Sequence, residues 1–249
     1  TVRNVALAHD NVGGIFSPTF IEISGYVSGE VSFFPKVGLA GAEDRAQFSL
    51  ALEPEYYLEY DEGATITFRP FYRFDSADPS RTHGDVRELL FQSSGRDWYL
   101  SLGVGKVFWG VVESKHLIDI VNQTDVVEGP NGEAKLGQPM AHLSTDFGPG
   151  FLDFFIMPYF REREFPSRSG RFRDGLLVDS LESGYETKLE QWHPDTAMRY
   201  GASLGNWDVG LAQFYGTSRE PSLALGINDD GNTVFVPTYE IISQTSLDL

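Results

Sequence analysis

Residues 20–34 read FIEISGYVSGEVSFF, and from Ile21 to Phe33 every second side chain is apolar or glycine. The positions between are Glu22, Ser24, Tyr26, Ser28, Glu30 and Ser32. Successive side chains of a β-strand point to opposite faces, so a period of two over this length specifies a strand with one apolar and one polar face. The apolar face must meet either a protein core or another apolar medium.

The alternation recurs in about ten segments, over 20–34, 47–60, 64–74, 86–94, 97–109, 140–146, 151–163, 196–204, 207–217 and 233–249. Four joins between them are tight: Asp61-Glu62-Gly63, Gly95-Arg96, Phe147-Gly148-Pro149-Gly150 and Gly205-Asn206. They alternate with long connections, of which 110–138 and 164–195 are the longest. A soluble sandwich varies its loops without such a rule, whereas an outer-membrane barrel has short periplasmic turns and long external loops. The expected fold is therefore all-β: a transmembrane antiparallel up-and-down β-barrel of about ten visible strands. Residues 20–249 would form it, with 1–19 as an N-terminal periplasmic segment.

Pairing across the tight turns tests the facing. The Asp61–Gly63 loop sets Tyr60 against Ala64, Leu58 against Ile66, Tyr56 against Phe68 and Pro54 against Pro70, all on the apolar face, and Glu55 against Arg69 and Ala51 against Arg73 on the other. Gly205-Asn206 sets Leu204 against Trp207, Ala202 against Val209 and Tyr200 against Leu211. Gly95-Arg96, taken as a two-residue turn, sets Phe91 against Leu100, Leu89 against Leu102 and Gln92 against Tyr99. Apolar-face aromatics then gather at two heights, Tyr56, Tyr60, Trp98 and Trp207 near the short turns and Phe33, Phe48, Phe74, Phe108, Phe160, Tyr215 and Phe235 near the long loops. Aromatic belts flanking an aliphatic band are what two membrane interfaces select.

The polar face carries Glu22, Glu30, Glu53, Glu55, Glu59, Arg69, Arg73, Glu88, Asp153, Arg161, Arg163, Arg199 and Glu240. Each of these ions left unpaired in a dry core would cost several kcal/mol, so a water-filled interior is expected. Arg87 and Lys106 fall on the apolar face, near the long-loop end where long basic chains snorkel. Pro54, Pro70, Pro158 and Pro237 forfeit ladder hydrogen bonds and are expected at bulges.

A net charge of −17 and a pI near 4.6 exclude the basic footprint of a nucleic-acid binder. There are no cysteines, hence no disulfide framework and no thiolate metal site. No run of about eighteen apolar residues exists to make a spanning helix.

The segment LGVGKVFWGVVESKHLIDIVNQTD at 102–125, with Gly105-Lys106, Trp109-Gly110 and Glu113-Ser114, resembles a stretch of a poorly characterised family of porin-like outer-membrane β-barrels. KLGQPMAHLS (135–144), MPYFREREFP (157–166) and FYGTSREP (214–221) read similarly. The resemblance implies a bacterial outer-membrane pore, with membrane lipid, lipopolysaccharide and small polar solutes as partners and a homo-oligomer or an outer-membrane partner protein as further options. Barrels of this kind end on an aromatic residue and look longer, whereas this chain stops at SQTSLDL, so the expectation is part of a larger barrel, with a closed small ten-stranded barrel as the alternative.

The residues expected to line the pore are Glu53, Glu55, Glu59, Arg69, Arg73, Glu88, Asp153, Arg161 and Arg199. The 110–138 loop, carrying apolar HLIDIV, is expected to fold inward, with Trp109, Glu113, Lys115, His116 and Asp119 as the constriction facing Arg69, Arg73 and Arg199. Acids outnumber arginines in this set, which predicts weak cation preference.

Enzyme chemistry is not expected. Glu53 and Glu55 have glycosidase-like proximity, but Arg69 opposite makes them wall residues. His142 and Ser144 share a strand face without an evident orienting carboxylate. NDDGN at 228–232 lacks the last ligand of a calcium loop, Asn122-Gln123-Thr124 matches a glycosylation acceptor, and REREFPSRSGRFR (161–173) could attract an anionic headgroup or solute. No cofactor and no metal are expected. The function so implied is passive diffusion of small polar solutes; the rival readings are a non-conducting barrel that anchors a partner through its long loops and a soluble β-rich carbohydrate enzyme or lectin.

Overall fold

The computed structural model describes residues 5–8, 17–39, 41, 42, 44–107, 120–129, 131–173 and 175–248. Among them are fourteen strands, a few single-turn 3-10 segments and no α-helix. The strands are β1 (Val5–Ala8), β2 (Phe20–Phe33), β3 (Ala46–Glu59), β4 (Thr65–Asp75), β5 (His83–Ser94), β6 (Trp98–Gly105), β7 (Gln138–Phe147), β8 (Gly150–Met157), β9 (Gly184–Tyr185), β10 (Asp195–Leu204), β11 (Trp207–Thr217), β12 (Ser222–Ile227), β13 (Thr233–Tyr239) and β14 (Ile241–Asp248).

Eleven of them make one antiparallel sheet in the order β1-β2-β3-β4-β5-β6-β7-β8-β10-β11-β14, while β12, β13 and β9 form a small separate sheet. The large sheet is an up-and-down meander. Its outer strands β1 and β14 are not paired with each other, so among the described residues it is open and no closed barrel is formed. Within the 1–19 segment, Val5–Ala8 joins the sheet, pairing Val5 with Ile23 and Ala8 with Phe20.

The alternation decides which side is enclosed, and the sense is inverted relative to a soluble protein. Along β3, Leu50 is 45% exposed while its neighbours Ser49 and Ala51 are 1% and 0% exposed and Glu53 is 7% exposed. Leu102 of β6 is 40% exposed, and Val27, Val31, Phe48, Leu52, Phe74, Leu89, Phe154, Met198 and Leu211 lie open on the same side. Registers carry that side from strand to strand: Val27 meets Leu52, Leu50 meets Phe74, Phe91 meets Leu102, Leu143 meets Phe154 and Leu211 meets Leu247. The polar face is the one that the chain encloses.

Two turns hold the expected registers. Tyr60 N–H donates to Ala64 O at 2.8 Å, Leu58 meets Ile66 and Ala51 meets Arg73, and the loop uses left-handed Glu62 (φ 66) and Gly63 (φ 75). All three pairs at Gly205-Asn206 occur. The Gly95 turn is centred one residue later than expected, on Arg96-Asp97, with Gly95 N–H bonded to Trp98 O, so Phe91 meets Leu102, Leu89 meets Val104 and Gln92 meets Ser101. A shift of two residues changes the partners and keeps the faces.

Other departures have local causes. A bulge between Arg69 and Pro70 skips Arg87 in the β4–β5 ladder, which turns Arg87 onto the enclosed face, where it is buried, instead of out toward headgroups. Pro70 sits at that bulge; Pro158 lies beyond the end of β8, and Pro237 lies in the small sheet opposite Leu223. The expected last strand is broken at Glu240: β13 leaves for the small sheet and β14 returns to the large one. Phe160 is fully buried against Tyr239 and Phe235 belongs to the small sheet, so neither is in an outer aromatic belt. Tyr56, Trp98 and Trp207 at one height and Phe33, Phe48, Phe74 and Tyr215 at the other are exposed as expected; Phe108 lies outside the described residues.

Gly25 holds φ 140, and a Cβ there would collide with the Glu53 carbonyl of the paired strand, whereas Gly29 has nothing within 4 Å. Gly25→Ala is therefore expected to destabilise by about 1–3 kcal/mol, and Gly29→Ala by under about 0.5 kcal/mol, measured as the urea midpoint of the purified protein.

Candidate functional site on the enclosed polar face

Registers place the charges of β2 to β5 in one cluster. Arg69 of β4 reaches Glu53, Glu55 at 3.2 Å and Glu88 of β5 at 3.4 Å, and Tyr26 Oη donates to Glu53 at 3.1 Å. Arg73, one turn of the pleat further, is held by Glu30 at 3.0 Å, Ser49 Oγ at 2.7 Å and Glu128 at 2.9 Å. Arg81 closes the group on Glu30 and Asp75, both at 3.0 Å. Glu59 lies on the same face at the end of β3. On the far side of the sheet, His142 Nε2 lies 2.9 Å from Asp153 Oδ1, and Arg199, the register partner of Asp153, approaches Asp248 at 3.9 Å.

The face is thus not a hydrocarbon core. A smaller apolar cluster of Leu90, Met140, Phe155, Met157, Ala197, Ala212 and Phe214 occupies part of it under Val121. Arg199 Nε and Asp248 Oδ2 are buried with no hydrogen-bond partner among the described residues. Such groups are costly in a dry interior and ordinary beside water.

The 120–138 segment returns across this face. Asn122 accepts from Val107 N–H at 2.8 Å and donates to Gly105 O and Leu136 O, each at 2.9 Å. Asp125 takes Arg87 at 2.6 Å and Glu128 takes Arg73. Arg219 donates to Val121 O at 3.0 Å while pairing with Asp195 at 2.6 Å; full burial pulls its guanidinium below the ordinary range against the opposing pull of Asp195. The inward return of the loop is therefore present in its described half. The expected constriction residues Trp109, Glu113, Lys115, His116 and Asp119 lie outside the described residues. Asn122, Asp125 and Glu128, which fasten the segment, were hidden in NQTDVVEG, a string that reads as turn chemistry. Asn122 is buried and its amide is committed to backbone, so it is no glycosylation acceptor.

Arg161 lies beyond β8 instead of on a wall strand, fixed by Asp85 at 2.8 Å and Gly137 O at 2.9 Å. It stands at the long-loop mouth, where residues 159–165 face residues 180–191 across a cavity of about 800 Å³. Glu162 there accepts from Tyr185 Oη, Gln191 Nε2 at 2.6 Å and Ser183 Oγ at 3.2 Å; burial, then the Glu162 hydrogen bond, raises the Tyr185 hydroxyl far above its usual value. Arg163 grips Glu220 at 2.9 and 2.7 Å. Burial also lifts the Glu164 carboxyl above its normal range.

Of the minor sequence candidates, His142 does have an orienting carboxylate, Asp153, which no local spacing revealed. NDDGN is the β12–β13 turn, closed by Asn228 N–H to Asn232 O at 3.0 Å and Asn232 N–H to Asn228 Oδ1 at 2.8 Å. Glu240 lies exposed at the break between β13 and β14.

Removing one member of a buried pair leaves the other charge stranded. Asp125→Ala leaves Arg87 only the longer contact to Asp85 at 3.4 Å and is expected to cost about 1–3 kcal/mol in denaturant titration, with the double change Arg87→Leu and Asp125→Leu recovering most of it. Tyr239, in the small sheet, is pushed up to about 12 by burial. Its stabilising contribution is full below the unfolded value near 10 and is lost as pH rises toward 12, so Tyr239→Phe should flatten the fall in stability across that window.

Comparisons with family models, curated proteins and solved structures returned no match.

Proposed function

We propose that the large sheet is the wall of a bacterial outer-membrane β-barrel, its apolar face in lipid and its polar face lining a path for passive diffusion of small polar solutes. The observation that carries this reading is the inverted exposure: Leu50 and Leu102 open, Ser49, Ala51 and Glu53 enclosed. Water gives no reason to expose an aliphatic band between aromatic rows while enclosing arginines and carboxylates, whereas a bilayer gives both. The wall residues Glu53, Glu55, Glu59, Arg69, Arg73, Glu88, Asp153 and Arg199 would line the path, Arg161 would stand at its mouth, and the 120–138 segment would narrow it. Three carboxylates around Arg69 leave the cluster net negative, which supports weak cation preference.

A second reading, a non-conducting barrel that anchors a partner through its long loops, is favoured by one observation. The Arg87–Asp125 and Arg73–Glu128 pairs tie the 120–138 segment onto the wall and could seal it.

One measurement tests both readings and a second separates them. Leu50→Arg should cost about 2–4 kcal/mol if the position is lipid-facing, against under about 0.5 kcal/mol at an exposed site in water; a neutral result removes both membrane readings. In planar bilayers the diffusion reading expects discrete conductance with a cation-selective reversal potential. A protein that inserts but never conducts selects the anchor.

A further inference from the structure

The mouth cavity has a charge asymmetry that the wall lacks. Its lining contains two cations, Arg161 and Arg163, and both are engaged by carboxylates outside it, Arg161 by Asp85 and Arg163 by Glu220. Its carboxylates are not matched in this way. Glu162 accepts from the neutral donors Tyr185, Gln191 and Ser183, which hold its oxygens in place without cancelling the charge. Glu164 and Glu190 also line the space, and no ion pair reaches either among the described residues.

The remaining walls are aromatic as well as polar. Tyr159, Phe165 and Tyr185 border the cavity, and Trp192 meets Tyr159 edge to face at 4.9 Å. Its volume of about 800 Å³ is that of a small-molecule site, for which the ordinary range is about 300–1,000 Å³. Carboxylates set among ring faces are the two features that recognise an ammonium group, one by charge and the other by the ring quadrupole.

We infer that this cavity is a binding site for an organic cation, a flexible amine carrying more than one ammonium group. Glu162, held rigid by its three donors, fixes one ammonium; Glu164 and Glu190 take a second; Tyr159 and Phe165 cover the alkyl chain between them. The charged and aromatic lining comes from the 159–165 and 180–191 segments, with Ser80 and Leu136 completing the wall, so the site goes beyond the proposed diffusion role and stands whether or not the sheet conducts. A neutral sugar would also find ring faces here, but would leave three carboxylates uncompensated.

The test is calorimetric titration of the full detergent-solubilised chain with spermidine, with maltose as the neutral probe. Saturable one-site binding of spermidine is expected, weakened as sodium chloride is raised. Glu164→Gln with Glu190→Gln should weaken it at least tenfold, and Glu190→Gln alone, on an exposed turn, should weaken it severalfold. Glu182→Gln, outside the lining, should leave it unchanged. Absence of spermidine binding by the folded native chain overturns the inference, as does equal affinity in the double variant or maltose binding as tightly as spermidine. Far-UV circular dichroism identifies a misfolded double variant, in which case the single Glu190→Gln result decides. Bilayer conductance plays no part in the readout, so failure here is distinct from failure of the channel reading.

Discussion

An arginine removed from bulk water has to be met by a carboxylate or by enclosed water, and this requirement organises the whole sheet. Arg69, Arg73, Arg81 and Arg87 each face at least one carboxylate across the enclosed side, and Arg161, Arg163 and Arg219, beyond the strand ends, each hold one as well. Because strand side chains alternate with a period of two, committing one side to these pairs commits the other to Val, Leu, Ile and Phe. Among the described residues the apolar side has no protein layer over it. A medium that is itself apolar relieves that exposure, and the arrangement of aromatic rows above and below the aliphatic band fits such a medium.

The long connections are part of the same electrostatic system. Asp125 and Glu128 carry the 120–138 segment onto wall arginines, Asp85 holds Arg161, and Asp195 holds Arg219, whose other donor reaches Val121 O. The long connections are fastened to the sheet by charge. The small β12-β13-β9 sheet extends this: Tyr239 packs on Phe160 and accepts Arg163 N–H at 3.1 Å, which ties the mouth cavity's wall to the last hairpin. Stability is therefore sensitive to loss of single carboxylates, each of which would leave a buried guanidinium under-compensated.

Alternation and tight turns were legible in the chain because both are local. Asp61-Glu62-Gly63 and Gly205-Asn206 set register through backbone conformation alone, and the partner faces of Glu55 with Arg69 and Ala51 with Arg73 followed. What escaped depends on contacts remote in sequence. The bulge that turns Arg87 inward is stabilised by Asp125, 38 residues on, and Phe71, over which the guanidinium lies at 4.2 Å. The break at Glu240 exists because β13 finds Leu223 and Val236 finds Ala224 in a hairpin of its own, where continuous alternation had read as one strand. The strand expected over 151–163 ends at Met157, and Phe160 beyond it packs on Tyr239 of the small sheet. The mouth cavity is assembled mainly from two segments with no motif in common, together with Ser80 and Leu136, and nothing in one stretch predicts the others.

The central claim is the inverted polarity, and the absence of native cysteine allows a direct measurement of it. Single cysteines introduced along β3 at positions 47 to 53 and spin-labelled in lipid vesicles report collision with oxygen, which concentrates in lipid, and with a water-soluble nickel chelate. The account expects positions 48, 50 and 52 to be oxygen-accessible and shielded from nickel, with 47, 49, 51 and 53 shielded from oxygen, in strict alternation. High nickel accessibility at 48, 50 and 52, or a protein that stays in solution without lipid or detergent, would contradict it.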